Sequence, residues 1–207
     1  MVGGVLLLYL FFYFPSPYLF ETFVLEESSL SHWHTIMQQS KDLTYTNQLN
    51  SNIHDAKKAY RVFLPLLVRF TGLNALSLYI IQSILQLFSI GLFYRIVRAI
   101  SNSAYLATSL TIIFVSCYAG LAGFHDVGGW GDAYAFFFLL IAVYFRNGFL
   151  LFSCILLASL VDERAFVNSA FILLFKWIQA ASNNKMRWRQ VSAIISAWLA
   201  YLFIRLS

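Results

Sequence analysis

The chain has 207 residues, of which 60% are hydrophobic, 18% aromatic and 11% charged, with a formal net charge of +5. Soluble domains carry about 25% charged residues, so the composition excludes an ordinary soluble domain and fits a polytopic α-helical membrane protein. A transmembrane β-barrel needs alternating segments of roughly ten residues, which are lacking here, and the basic residues are spread along apolar runs, unlike a nucleic-acid-binding patch.

Val2–Phe20 carries no charge and has the length of a first transmembrane helix. It has no basic n-region and no small-residue cleavage site, which sets it apart from a signal peptide. Pro15 and Pro17 are expected to bend or end it near its exit. Glu21–Asn52 is the most polar stretch. Within it, Ser28–Gln39 reads as a short surface helix and Thr44–Asn52 as loop. His32-Trp33-His34 lacks useful ligand spacing, because positions i and i+2 diverge on a helix.

In Ile53–Phe70, His54, Lys57, Lys58 and Arg61 share one helical face, while Ile53, Ala56, Tyr60, Phe63, Leu64 and Leu67 share the other. This predicts an amphipathic helix lying at the membrane surface, with a kink at Pro65. Its cations suit a phosphate or pyrophosphate head group, or plain snorkelling to the interface.

Leu73–Tyr94 reads as a second span, ended by Arg95 and Arg98, and Ala104–Ala122 as a third. Ala133–Phe145 and Phe149–Val161 form a hairpin broken only by Arg146-Asn147-Gly148. Each of its runs reaches only about 20 Å as a helix, against a hydrocarbon core of about 30 Å. Its charged ends are therefore expected below the interface, where pairing lowers the cost of a carboxylate. Arg164 is expected to pair there with Asp132 or Asp126. Ala165–Ala181 reads as a sixth span, Lys185, Arg187 and Arg189 as a basic loop, and Val191–Ile204 as a seventh span. The pattern stops on Arg205-Leu206-Ser207, so the sequence is expected to be truncated. Cys117 and Cys154 lie within apolar runs and read as packing residues rather than a disulfide.

The expected fold is all-α: a polytopic transmembrane bundle of about seven spans, including the short-helix hairpin. It forms a single integral membrane domain over 1–207, with an extracytoplasmic loop at 21–72. With the N-terminus inside, Arg95, Arg98, Arg146, Lys185, Arg187 and Arg189 fall on one side without a carboxylate. All 9 Asp and Glu residues fall on the other. The positive-inside rule makes the first side cytoplasmic, in a bacterial inner membrane.

Three features converge on the outer side: the acidic loop with Glu21, Glu26 and Glu27, the loop His125–Asp132, and Asp162-Glu163-Arg164. One reading is an extracytoplasmic site with a carboxylate base, for which Asp126 and Asp132 are candidates. The other is structural: Asp132 caps one helix, Asp162 and Glu163 cap the next, and Arg164 pairs with a carboxylate. Gly128, Gly129 and Gly131 permit a tight re-entrant turn or a flexible loop, and no phosphate-loop lysine follows them. His125, Asp126 and Asp132 leave a metal ligand set incomplete. No G-x-S-x-G, H-E-x-x-H or Walker motif occurs.

Ala56-Lys57-Lys58-Ala59-Tyr60-Arg61-Val62-Phe63-Leu64-Pro65 looks like a K-x-(aromatic)-R-x-x-x-P signature. Gly129-Trp130-Gly131-Asp132 with Asp162-Glu163-Arg164-Ala165 looks like its partner. Together, over roughly Ile53–Trp177, they resemble a family of bacterial multi-pass inner-membrane proteins with a G-x-x-D … D-E-R-A pattern. That family is in turn distantly similar to GT-C-type glycosyltransferases and polysaccharide-assembly proteins. The resemblance implies a polyprenyl-phosphate sugar donor, an active site facing away from the cytoplasm, and a base in the first outer loop. Carried over, the base is Glu21, Glu26 or Glu27. The spacing departs from the Asp-Glu or Glu-x-Asp signature common in GT-C first loops. Lys57, Lys58 and Arg61 would hold the donor phosphate, with Asp162, Glu163 and Arg164 as further substrate-binding candidates. Membrane lipids are the expected partners. The rival expectation is a non-catalytic transporter subunit or membrane scaffold. The sequence points to no particular cofactor or oligomeric state.

Overall fold

A computed structural model describes residues 31–43, 45, 61–126, 128–179 and 184–206. The expected first span, Glu21, Glu26, Glu27, Lys57 and Lys58 lie outside the described residues. Among the described residues the chain forms nine helices and no strand: α1 Ser31–Lys41, α2 Phe63–Thr71, α3 Ala75–Ser101, α4 Ala104–Ser116, α5 Tyr118–His125, α6 Asp132–Tyr144, α7 Gly148–Val161, α8 Glu163–Gln179 and α9 Asn184–Leu206.

Local chemistry sets several of these boundaries. Asn74 opens α3, its Oδ1 accepting the Ser77 N–H at 2.8 Å, and left-handed Asn102 closes it. Ser103 and Asn147 cap α4 and α7 in the same way. Gly72, at φ 69°, ends α2.

Five expectations need correction. The amphipathic helix does not run through Arg61: Arg61 and Val62 are non-helical and α2 begins at Phe63. Pro65 therefore sits in a first turn, where its missing N–H has no intrahelical bond to break and no kink arises. The helix near Ser28–Gln39 is docked rather than superficial, for Trp33 is 1% exposed. Ala104–Ala122 is not one straight span but two helices bent by 52° at Cys117. Residues 184–190, expected as loop, already belong to α9.

α3 packs against α4, α5 and α6, while α6 and α7 pair and α7 packs on α9. One core lies beneath α1 and α2, around Trp33, Leu64, Leu78, Tyr134 and Val161. Another joins α6 to α9 through Ala142, Leu151, Ile155, Ile194 and Ala197, whose small members let backbones approach.

The exterior is unusual for a protein bathed in water. On α3, Leu76, Ile80, Ile84 and Phe88 are exposed, whereas Gln82, Gln86 and Ser89 are fully buried. On α8, Val167, Phe171, Leu174 and Ile178 face out, while Ser169 and Lys176 face in. On α9, Leu199 and Phe203 face out and Gln190 faces in. Polar groups inside and apolar stripes outside invert the pattern of soluble proteins. By length and composition α3 can cross a membrane, as can the bent α4–α5 pair if it counts as one span; α6 and α7 are shorter apolar helices.

The helices give the bundle two ends. At one end Arg95 stacks over the Tyr144 ring at 5.4 Å and Gln190 donates to the Arg146 carbonyl. There Lys176 Nζ donates to the carbonyls of Val143 and Phe145, at 2.6 and 2.8 Å, closing the C-terminus of α6. Among the described residues this end holds no carboxylate. The other end gathers Asp126, Asp132, Asp162, Glu163, Arg61, Arg164 and Arg205.

Candidate functional site

The charged end is built on the loop between α5 and α6. Asp126 Oδ1 accepts the N–H groups of Gly129 and Trp130 at 3.0 and 2.9 Å, and its Oδ2 accepts that of Gly131 at 2.7 Å. One side chain thus organises the whole turn. Gly129 and Gly131 have φ of 87° and 78°, which favours glycine. Space demands glycine as well: a Cβ on Gly129 would lie 2.7 Å from the Trp33 ring, and one on Gly131 would lie 2.8 Å from Leu64 Cδ1. The turn is tight and clamped between α1 and α2.

Gly131 is also the N-cap of α6, so the expected capping by the Asp132 side chain does not occur. Asp132 is instead the first helical residue, 3% exposed, and its two oxygens accept from different partners. Tyr118 Oη donates to Oδ2 at 2.6 Å, and Arg164 Nη2 donates to Oδ1 at 2.7 Å. The pair expected from the short hairpin is therefore present.

Asp162 does cap the next helix, accepting the Arg164 N–H at 3.1 Å. It also receives Arg164 Nε at 2.8 Å and Arg61 Nη2 at 3.3 Å. Arg164 thus bridges two buried carboxylates, one opening α6 and one between α7 and α8. Glu163 turns away to Arg205 of α9, at 3.2 Å. It ties two helices together and stands apart from the pocket beside Arg61.

Arg61 also donates to the Trp130 carbonyl at 3.4 Å, and its guanidinium lies 6.0 Å from the Trp130 ring centre. The His32 and Trp130 rings approach to 3.9 Å. Together with Thr35 and Gln39 these residues line a pocket of about 30 Å³. That admits a group of water size, whereas ligand pockets span roughly 300–1,000 Å³.

Burial pushes the Asp126 carboxyl up to about 6, and the nearby Asp132 carboxylate adds to the rise. The amide hydrogen bonds from residues 129–131 oppose it. A general base needs an oxygen within reach of the proton it removes. Asp126, Asp132 and Asp162 each have both oxygens engaged by protein donors. As arranged, they position loops and helix ends.

Sequence reasoning missed Tyr118, Arg205 and the ring contact of His32 with Trp130, for which no local pattern gives a signal. It also missed a readable feature, the polar stripe Tyr79, Gln82, Ser83, Gln86 and Ser89 at helical spacing on α3. Tyr79 Oη donates to the Phe124 carbonyl, Ser83 Oγ to that of Gly123, and Gln82 Nε2 to that of Asp126, at 3.0, 3.1 and 3.0 Å. The stripe satisfies the open carbonyl end of α5 and so holds the Asp126 loop in place. No family model, curated protein or solved structure matches this chain.

Proposed function

We propose that the chain is a multi-pass integral membrane protein of the bacterial inner membrane, and that its carboxylate-bearing end faces away from the cytoplasm. The observation that carries this reading is the inverted surface, with exposed Leu76, Ile80, Ile84 and Phe88 opposite buried Gln82 and Gln86 on α3. The segregation of charge supports the orientation, since the end with Arg95, Arg146 and Lys176 has no described carboxylate.

The activity we propose is GT-C-like transfer of a sugar from a polyprenyl-phosphate donor. Lys57, Lys58 and Arg61 hold the phosphate, and a base comes from Glu21, Glu26 or Glu27. Asp126, Asp132, Asp162 and Arg164 are positioning residues in this scheme. Support comes from Arg61, a cation whose Nε is buried and lacks a hydrogen-bond partner among the described residues. A second reading, a non-catalytic transporter subunit or membrane scaffold, is favoured by the full engagement of Asp126, Asp132 and Asp162 by protein donors.

The test is donor consumption by purified protein with polyprenyl-phosphate sugars and a glycan acceptor. Turnover is expected in the wild type, with at least about 100-fold loss when the base is removed, the usual lower bound for general-base catalysis. Glu21→Gln, Glu26→Gln and Glu27→Gln are assayed singly and together. Absence of turnover in a folded wild type, or full activity of the triple variant, would reject the catalytic assignment.

A further inference from the structure

A groove of about 530 Å³ follows α3 down to Arg95, with walls that include Leu85, Phe88, Gly91, Leu92, Arg95 and Phe137. Its volume falls in the ligand-pocket range of roughly 300–1,000 Å³. Gly91 forms part of its wall. Glycine is a poor helix former, and Gly91 lies inside the 27-residue helix α3. Its φ is not in the left-handed region, and a Cβ built there would meet nothing within 4 Å. Neither the backbone nor a packed neighbour demands glycine at this position. Its effect is to leave a notch in an otherwise apolar wall.

The groove ends at a cation. Arg95 is exposed, its guanidinium lies over the Tyr144 ring, and among the described residues it has no carboxylate partner. Arg98 follows in the last turn of the same helix, and Arg146 lies at the same end of the bundle. An apolar groove that ends at a cation with no described carboxylate partner is complementary to one acyl chain carrying a negative head group.

We propose that this groove is a binding site for an anionic phospholipid, with one acyl chain laid past Phe88 and Gly91 and the phosphodiester accepting hydrogen bonds from Arg95. The inference rests on the membrane reading above and is independent of the glycosyltransferase reading.

Native mass spectrometry of the detergent-solubilised full chain tests it, with titrated phosphatidylglycerol and phosphatidylcholine of matched chains. The wild type is expected to form a one-to-one adduct that favours phosphatidylglycerol. Arg95→Gln reduces that preference roughly fivefold, the factor for one cation near an anionic lipid surface. Gly91→Trp fills the notch and removes the adduct with both lipids, while Phe203→Trp, on the outward face of α9, changes neither. Equal binding of the two lipids by the wild type overturns the proposal, as does an adduct that survives Gly91→Trp. A drop in the melting temperature of Gly91→Trp in lipid-free detergent also overturns it, because protein would then occupy the groove. Carbonate extraction separates the premises. A wild-type chain stripped from membranes by carbonate sinks the membrane reading, while one that stays embedded yet shows no adduct sinks the lipid site alone.

Discussion

At Asp126 two opposed effects meet in one side chain. Burial raises its carboxyl to about 6, while the N–H groups of Gly129, Trp130 and Gly131 favour the charged form. An unfolded Asp titrates near about 3.9. Between those values the folded chain binds the proton more tightly than the unfolded chain does. The stability this raised pKa contributes is thus full below about pH 4 and lost as the pH rises through about 6. Above that, the carboxylate holds the turn through three charge-assisted bonds. In fluorotryptophan-labelled His32→Gln protein, which has no imidazole against the Trp130 ring, the ¹⁹F resonance of Trp130, assigned with Trp130→Phe, is expected to titrate with a midpoint near pH 6. Asp126→Asn should abolish that titration. A midpoint at the ordinary value of about 3.9 would mean that the hydrogen bonds fully offset burial. At this scale the Arg164–Asp132 pair was legible, because two short helices force charged ends inward and Arg164 is the cation at the hairpin's own charged end. The Arg61–Asp162 bond spans 101 residues. Sequence put Arg61 on a cationic helical face without naming that partner, since tertiary packing alone brings the two together.

Among the elements, α5 depends most on another helix. It is 8 residues long and sits at a bend, with its C-terminal carbonyls turned into the bundle. Gly123 and Phe124 are buried, and α3 supplies the donors for their carbonyls. Gln82→Leu is expected to destabilise the protein by about 1–3 kcal/mol, the cost of an unsatisfied buried polar group, partly offset because Gln82 Oε1 is itself unpartnered. Ser89→Ala should do little, for Ser89 bonds only Leu85 of its own helix. Unfolding in detergent compares the two variants, and equal losses would remove α5 support as the reason for the stripe. The boundaries of α6 and α7 were readable, since Arg146-Asn147-Gly148 interrupts an apolar run and Asn147 can cap. The break at Cys117 was not, because the apolar pattern continues through it. Gly120 marks the bend only in hindsight: a Cβ there would run into the Phe114 carbonyl and lie 2.8 Å from Val115 Cα.

For the molecule as a whole, the issue is which solvent each surface meets. Exposed Tyr105, Phe149, Phe171 and Phe203 lie on four different helices, so the apolar exterior is a belt rather than a single docking patch. A belt of this kind is stable against lipid and unstable against water. In the membrane arrangement proposed above, the two polar ends fall on opposite sides of the bilayer, and their charges decide which is which. Short segments rich in Arg and Lys resist translocation, whereas carboxylates vote weakly. The Arg95–Arg146 end is therefore expected in the cytoplasm and the Asp126–Asp132 end outside. Single-cysteine labelling tests this in a background carrying Cys117→Ser and Cys154→Ala. In intact cells an impermeant maleimide should modify His125→Cys, which lies on the exposed rim of the carboxylate end. Arg146→Cys should stay unmodified until the cells are permeabilised. Modification of Arg146→Cys alone in intact cells would invert the bundle and place the aspartate cluster, with any donor site beside Arg61, in the cytoplasm. Modification of both sites would remove the barrier between the ends and, with it, the membrane-spanning arrangement.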